Sequence, residues 1–208
     1  MVLTTDNLRK IEIHLLQSAE IKQQTALKCA ESIAKGAELI AETFQSSGKV
    51  LLCGNGGSAA DCQHMAAEFV SRFSKDLDRA ALPAIALTTD TSFLTGFGND
   101  YGFEGVFERQ IEALGNAGDL LIAISTSGNS VNVIRAVEAA RKRHVRTVAL
   151  TGNAGQLASM ADTVIPVPSA DTQYIQETHL AIEHILCELV ECMLFRGPEL
   201  PSTKQTPK

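Results

Sequence analysis

The stretch KVLLCGNGGS, residues 49–58, decides the type of fold. Its first five residues form a short and mostly apolar run, which is typical of a buried strand. Glycines follow at once, and we expect them to form a turn after which Ser58 caps a helix that runs to about Phe73. A buried strand that leads through a glycine-rich turn into a helix is the repeating unit of α/β folds.

Further apolar runs and helical stretches alternate along the rest of the chain. We predict strands at residues 83–87, 119–125, 146–150 and 163–167, and helices at about 130–143 and 172–195. Pro166 cannot donate a hydrogen bond to a neighbouring strand, so the last strand should lie at a sheet edge. Strands of this kind, alternating with helices, predict an α/β three-layer sandwich: a five-stranded parallel sheet with helices on both faces.

A helical segment precedes this alternating region. Between about residues 8 and 47, the apolar residues Ile33, Ala37, Ile40 and Phe44 recur at helical spacing. Gly36 weakens the middle, so the pattern allows one long helix or two, and Gly48 marks the end. We therefore divide the chain into an N-terminal helical extension (1–47), an α/β domain (48–196) and a proline-containing tail (197–208) that we expect to be disordered.

Composition excludes several classes of protein. The chain has 208 residues, of which 45% are hydrophobic, and its formal net charge is −6, so it lacks the basic charge of a nucleic-acid-binding protein. No apolar run approaches the roughly 18–20 residues of a membrane span, and the first ten residues have no signal-peptide core. The five cysteines show no C-x-x-C spacing, which favours a protein of the reducing cytoplasm without disulfides or a thiolate metal site.

Two loops have the character of a phosphate-binding site. Residues 54–58 (GNGGS) and 125–130 (STSGNS) each follow a predicted strand and precede a predicted helix. Glycines allow a ligand to approach the backbone closely, and the free N–H groups at a helix start favour an anion. Turn and capping chemistry alone would explain either loop, but the pair is more specific.

A dinucleotide site is the alternative for the first loop. Gly54, Gly56 and Ala59 fit a relaxed G-x-G-x-x-A fingerprint, and Asp76 and Asp78 follow about 20 residues later. This interpretation leaves the 125–130 loop without a role.

Histidine and carboxylate residues on two predicted helices are candidate metal ligands. His64 and Glu68 are four residues apart and can share one ion, although an exposed polar pair has the same spacing. On the last helix, spacing alone favours His179 with Glu183, because Gln176 and His184 are separated by about 12 Å along the axis. Asn99 and Asp100 lie in a glycine-rich segment that we predict to be a loop.

Taken in order, these motifs are similar to those of a known family. They are CGNGGS (53–58), H-x-x-x-E (64–68), GNDY (98–101), ISTSGNS (124–130), ALTG (149–152) and IQE-x-H (175–179). The set resembles the phosphoheptose isomerases of the sugar-isomerase (SIS) domain superfamily over roughly residues 10–195. The resemblance implies a flavodoxin-like sheet and an isomerase that converts sedoheptulose 7-phosphate to D-glycero-D-manno-heptose 7-phosphate, the first step toward nucleotide-activated heptose for lipopolysaccharide and other surface glycans.

The same resemblance implies the cofactor, the assembly and the site. It implies a homotetramer with active sites between subunits and one zinc ion per subunit, held by His64, Glu68, Gln176 and His184, which overrides the spacing preference for His179 and Glu183. The implied substrate contacts are Asn55, Gly56, Gly57, Ser58, Glu68, Arg72, Asn99, Asp100, Ser125, Thr126, Ser127, Ser130 and Gln176. At position 173, where some relatives carry an aspartate, this chain has Gln173.

The chemistry of the implied reaction assigns roles to two of these residues. Moving a carbonyl between C1 and C2 through an enediol needs a base, an acid and a group that stabilises oxyanion charge. We expect Glu68 to be the base, His184 the acid, and zinc the Lewis acid. The alternative is a non-catalytic SIS-domain regulator of the DnaA initiator-associating type, but the presence of both Glu68 and His184 favours the enzyme.

Overall fold

The computed structural model describes residues 4–196 of the chain. Within that range the helices and strands are α1 (Thr5–Gln45), β1 (Val50–Gly54), α2 (Gly57–Val70), β2 (Ala84–Ala86), α3 (Thr91–Tyr101), α4 (Val106–Leu114), β3 (Leu120–Ser125), α5 (Val131–Lys142), β4 (Arg146–Thr151), β5 (Thr163–Pro166) and α6 (Thr172–Glu191). Short 3₁₀ turns cover Phe103–Gly105 and Gln156–Ser159, and a π-helical turn, Cys192–Arg196, follows α6. The predicted tail, residues 197–208, lies outside the described residues.

The five strands form one parallel sheet in the order β2-β1-β3-β4-β5, which confirms the predicted fold class. Val50 of β1 pairs with Ala84 on one side and with Leu120 on the other. Pro166 ends β5 at the sheet edge, as its missing N–H requires. The chain changes direction across the sheet between β1 and β3, and ligands of such sheets bind beyond the carboxyl ends of the strands at this switch point.

The central strands are buried on both faces, which explains why they are continuous apolar runs. Leu52, Leu120 and Ile122 face a core formed with α1, α2 and α6. Leu51 and Leu121 face the opposite way, into a second core that includes α4 and α5. Helices therefore cover both faces of the sheet, as a three-layer sandwich requires.

The N-terminal segment is one uninterrupted helix of 41 residues. Ile33, Ala37 and Ile40 are buried against the sheet, and Phe44 packs at the edge of the same core. Gly36 does not break α1. Its Cα faces Ile165 and other core side chains, and an added Cβ would lie 3.4 Å from the nearest of them.

Two local predictions were wrong. Ser58 does not cap α2, because the helix begins one residue earlier and its N-cap is Gly56, with φ +57° and no side-chain capping bond. Asn99 and Asp100 do not lie in a loop but in the last turns of α3. The glycines at 96, 98 and 102 suggested a loop, whereas the adjacent rings of Phe93, Phe97 and Tyr101 recur at helical spacing along α3.

No helix among residues 4–196 combines the length and the apolar character needed to cross a membrane. All five cysteines are free thiols, four of them buried.

Replacing Gly36 tests how closely α1 approaches the sheet. In Gly36→Ala, the new methyl group would make ordinary van der Waals contacts and remove a helix-interior glycine, so the free energy of unfolding should rise by about 0.5–1 kcal/mol. In Gly36→Leu, the extra atoms have no room, and we expect a loss of about 1–3 kcal/mol. Urea unfolding measures both; a loss in the alanine variant would contradict the packing described here.

Candidate active site

The first wall of the candidate site is the turn between β1 and α2. Gly56 adopts a positive φ that only glycine reaches without strain, and α2 begins without a side-chain cap. Its first N–H groups are therefore available to an anionic group, which the helix dipole favours. Gly57 lets the Gln176 side chain approach closely, because an added Cβ would lie 2.6 Å from its nitrogen and the side chain would have to move.

The second wall is the loop between β3 and α5. The Ser125 Oγ lies 2.9 Å from the Ser130 Oγ and 3.5 Å from the Ser127 Oγ, so three hydroxyls converge at one point. Ser130 is the N-cap of α5 but makes no capping hydrogen bond with its side chain. We call the two loops, 54–58 and 125–130, the cradle. Hydroxyls and helix N-termini that converge in this way suit a phosphate group.

A pair of amide side chains ties the two loops together. The Asn55 Nδ2 donates to the Asn132 Oδ1, and the Asn132 Nδ2 donates back to the Asn55 Oδ1, both at 2.8 Å. Asn132 is buried in the first turn of α5. Asn55, Ser130 and Asn132 share a surface cavity of about 360 Å³ with Phe103 and Glu104. Sequence reasoning missed Asn132, because its partner is 77 positions away and no local motif marks the pair.

Imidazole and carboxylate groups from α2 and α6 meet at a second point. The His64 Nε2 lies 2.9 Å from the His184 Nε2, so one ring donates its N–H to the other. The Glu68 Oε1 lies 3.7 Å from the His64 Nε2, and both side chains remain partly exposed. A single chain brings these three residues together; no second subunit is needed for the contact.

Gln176 makes no hydrogen bond to His64, Glu68 or His184 within the described part of one chain. Its side-chain amide packs against Gly57 at the start of α2, beside the cradle. Gly57 and His64 are seven residues apart, about 10 Å along the helix axis. Within one chain, Gln176 is therefore better placed to contact a ligand in the cradle than an ion held by His64.

The pair that spacing favoured on the last helix faces the interior instead. His179 is fully buried and contacts the Thr151 carbonyl oxygen at 3.1 Å, and burial lowers the pKa of this imidazole to about 4. Glu183 is also fully buried, and neither carboxyl oxygen has a hydrogen-bond partner. Burial, with a smaller contribution from Asp61, raises the pKa of Glu183 to about 9, so it carries a proton at neutral pH. Helix periodicity shows which residues share a face, but not which face is buried.

The remaining predicted contacts differ in exposure. Asn99 and Asp100 are exposed on α3, where the Asn99 Nδ2 donates to the Asp100 Oδ1 at 2.9 Å. Arg72 is exposed just after α2. Ser58 is buried in the first turn of α2, and Thr126 accepts the Gly152 N–H through its carbonyl oxygen. Among residues 4–196 no hydrogen bond joins Arg72, Asn99 or Asp100 to the cradle.

The dinucleotide alternative does not fit the fold. Asp76 and Asp78 follow the C-terminal end of α2, whereas the glycine turn lies at its N-terminal end. The helix between them has 14 residues, about 20 Å, which is too far for a carboxylate to contact the ribose of a nucleotide bound at the turn.

The residues at the meeting of α2 and α6 fit a zinc ion. Two imidazole nitrogens and a carboxylate are the donors that zinc prefers, and tetrahedral zinc holds two nitrogen ligands about 3.4 Å apart, slightly more than the 2.9 Å between the two rings. In the described part of the chain, no three His, Cys, Asp or Glu side chains already stand in a metal-binding arrangement. Ion binding would therefore require the His64 and His184 rings to separate a little and Glu68 to turn toward them.

Comparison with known proteins defines the class and then the family. The SIS domain family matches residues 15–152, so the chain is a SIS domain protein. A phosphoheptose isomerase from Roseiflexus sp. (strain RS-1) is 54% identical over 179 residues, covering 86% of this chain and 90% of the relative. The solved phosphoheptose isomerase from Neisseria gonorrhoeae has a TM-score of 0.83 and 45% identity, covering 88% of this chain and 98% of that one. The solved phosphoheptose isomerase from Francisella tularensis has a TM-score of 0.85 and 39% identity, covering 90% of this chain and 98% of that one. The chain belongs to the phosphoheptose isomerase family and is an isomerase.

Inorganic phosphate tests the cradle. At ten times its Kd, phosphate should stabilise the fold by about 1.4 kcal/mol, which raises the melting temperature of a chain of this size by about 3–6 °C above a chloride control of equal ionic strength. Ser130→Ala should lose at least half of this shift, because it removes a converging hydroxyl. Ser159→Ala removes a hydroxyl outside the cradle and serves as the matched control. Equal shifts in both variants would contradict the assignment.

Proposed function

We propose that this isomerase interconverts sedoheptulose 7-phosphate and D-glycero-D-manno-heptose 7-phosphate through an enediol. One observation carries the proposal: His64 and Glu68 of α2 meet His184 of α6 at one point, and the N-terminus of α2 forms one wall of the cradle. An anion held at the cradle would place the far end of a seven-carbon chain near these side chains. The relatives are named phosphoheptose isomerases, which supports a heptose phosphate as the substrate.

The cradle would bind the 7-phosphate through hydroxyls and helix N-termini. The serine hydroxyls at 125, 127 and 130 converge, and α2 and α5 both begin without a side-chain capping bond. These groups create a local positive field, so the net charge of −6 does not prevent an anionic substrate from binding. Fixing the phosphate also restricts where C1 and C2 can lie, and so reduces the entropy lost in reaching the transition state.

Proton transfer falls to Glu68 and His184. We assign Glu68 as the base that removes the proton from the carbon beside the carbonyl and returns it to the neighbouring carbon. We assign His184 as the acid that exchanges protons with the substrate oxygens. Glu68 is only partly exposed, which lets it face a bound substrate while limiting contact with water.

We propose one zinc ion per subunit, held by His64, Glu68 and His184 of one chain. When bound, zinc would polarise the carbonyl group of the substrate. Gln176 is eight residues from His184, about 12 Å along α6, so we propose that the fourth ligand is Gln176 of a neighbouring subunit. A carboxylate bound to zinc would be a weaker base, so the two roles that we propose for Glu68, zinc ligand and base, would compete.

We also propose that the chain assembles as a homotetramer. The side of α1 that is buried at Ser18, Thr25 and Cys29 continues toward the N-terminus as an apolar stripe. In the single chain, the stripe residues Leu8, Ile11 and Leu15 are 60%, 53% and 64% exposed. Three large apolar side chains in one exposed row favour burial against another subunit.

A reducing cytoplasm remains our proposal for where the reaction takes place, supported by five free thiols. The non-catalytic regulator is not favoured, because Glu68 and His184 are both present and the high-identity relatives carry an enzyme name.

Glu68→Gln tests the base. The amide keeps the size of the side chain but cannot accept the proton, so kcat should fall by about 10²–10⁴-fold while the circular dichroism spectrum and the subunit assembly stay unchanged. The assay measures aldose phosphate formed from sedoheptulose 7-phosphate. Glu112→Gln, at an exposed carboxylate on α4, is the control and should retain full activity. Near-normal turnover in the Glu68 variant would remove the assignment.

Light scattering tests the assembly. After size-exclusion chromatography, the mass measured for the wild-type protein should be about four times the 22.2 kDa of one chain. Ile11→Glu/Leu15→Glu puts two charges into the exposed stripe and should shift the protein to smaller species, because desolvating a carboxylate is costly. Gln24→Glu adds a charge on the opposite side of α1 and should leave the mass unchanged. A monomeric wild-type protein, or an unchanged double variant, would contradict the proposal.

A further inference from the structure

A fully buried ion pair joins the ends of α2 and α6, below the point where His64 meets His184. The Arg79 Nε donates to the Glu191 Oε1 at 2.6 Å, with side chains that are 0% and 2% exposed. Among the ion pairs formed by residues 4–196 it is the most buried. Breaking such a pair is costly, whereas replacing both charges by apolar groups of similar size is often tolerated.

Glu191 binds the segment that follows α2. Its Oε1 accepts the Phe73 N–H at 2.8 Å, and its Oε2 accepts the Ser74 N–H at 3.0 Å. Although burial opposes ionisation, these bonds and Arg79 keep the pKa of Glu191 below its ordinary value. The carboxylate thus stays charged and fixes this segment to α6.

Arg79 binds the C-terminal end of α2. Its Nη1 donates to the Phe69 carbonyl at 2.8 Å, and its Nη2 donates to the Glu68 carbonyl at 2.7 Å. The last turn of α2 contains no basic residue, so the arginine supplies the donor for the Glu68 carbonyl, whereas the Phe69 carbonyl also accepts the Leu82 N–H at 3.1 Å. One of these carbonyls belongs to the residue that we assign as the base.

The Arg79–Glu191 pair is also connected to His184, through Phe73. The ring of Phe73, whose N–H is bonded to Glu191, lies against the imidazole of His184, with 5.7 Å between the ring centroids and a tilt of 49°. Arg79 therefore contacts the main chain of Glu68, and Glu191 fixes the residue that packs on His184. The two charges connect both halves of the site without touching a substrate or an ion.

We propose that Arg79 and Glu191 are positioning residues that set the separation of His184 from His64 and Glu68, and so tune zinc affinity and turnover. This inference rests on the proposed function. Groups that orient metal ligands typically change metal affinity or activity by about 10–100-fold when they are removed.

Arg79→Met/Glu191→Leu tests the proposal, because it removes both charges together. Since the Glu68 carbonyl and the Phe73 and Ser74 N–H groups lose these partners, the comparison is made with protein whose circular dichroism spectrum matches that of the wild type. We expect zinc affinity, measured by chelator competition, to fall by about 10–100-fold, and kcat to fall more than KM rises.

Lys49→Met/Asp119→Leu removes another largely buried pair, at the start of β1 and β3 and away from the site. This control should bind zinc as tightly as the wild-type protein. Unchanged zinc affinity in the Arg79/Glu191 variant would overturn the proposal.

A second readout separates this inference from the zinc proposal. With ¹³C-labelled histidines, the NMR resonance of His184 in the zinc-free protein should move in the Arg79/Glu191 variant, since Phe73 shifts relative to the ring, while that of His144 should not. If wild-type protein binds no zinc, the proposed metal site fails, and a moved His184 resonance still supports positioning. A His184 resonance that stays in place in the Arg79/Glu191 variant would overturn the positioning proposal.

Discussion

The packing of α2 against α6 on one face of the sheet is the constraint on which the candidate site depends. Met65 and Phe69 of α2 and Ile182 and Leu186 of α6 are fully buried in one core. Burial of each such side chain contributes about 1.5–3 kcal/mol. An exposed ion pair contributes about 0.2–1 kcal/mol. Apolar packing therefore decides the overall placement of the two helices, and we propose that the buried Arg79–Glu191 pair adjusts the separation of their functional side chains.

The helix period then places the functional side chains. His64 and Glu68 each precede a buried residue of α2. His184 follows buried Glu183 and comes two residues before buried Leu186 on α6. Because the apolar neighbours are held in the core, the helix period places the polar side chains at the edge of the helix pair, where they face each other. At the other end of α2, the strand order β2-β1-β3 puts the two cradle loops side by side. One helix thus spans from the anion site to the imidazole pair.

Much of this architecture could be predicted from local patterns. The apolar runs identified all five strands, and Pro166 identified the edge. The aromatic residues of α3 were overlooked because the glycines in the same segment are equally typical of turns. The depth of His179 and Glu183 could not be predicted either, because the covering surface comes from strands that are distant in sequence. For the same reason, the long-range contacts of Asn132 and Glu191 appear only in three dimensions.

X-ray diffraction at the zinc absorption edge would test the central claim most directly. Crystals of protein purified without chelators should show one anomalous peak per chain, bonded to the Nε2 atoms of His64 and His184 and to the Glu68 carboxylate. A peak at another place in the chain, or crystals of active enzyme with no peak between α2 and α6, would contradict the account.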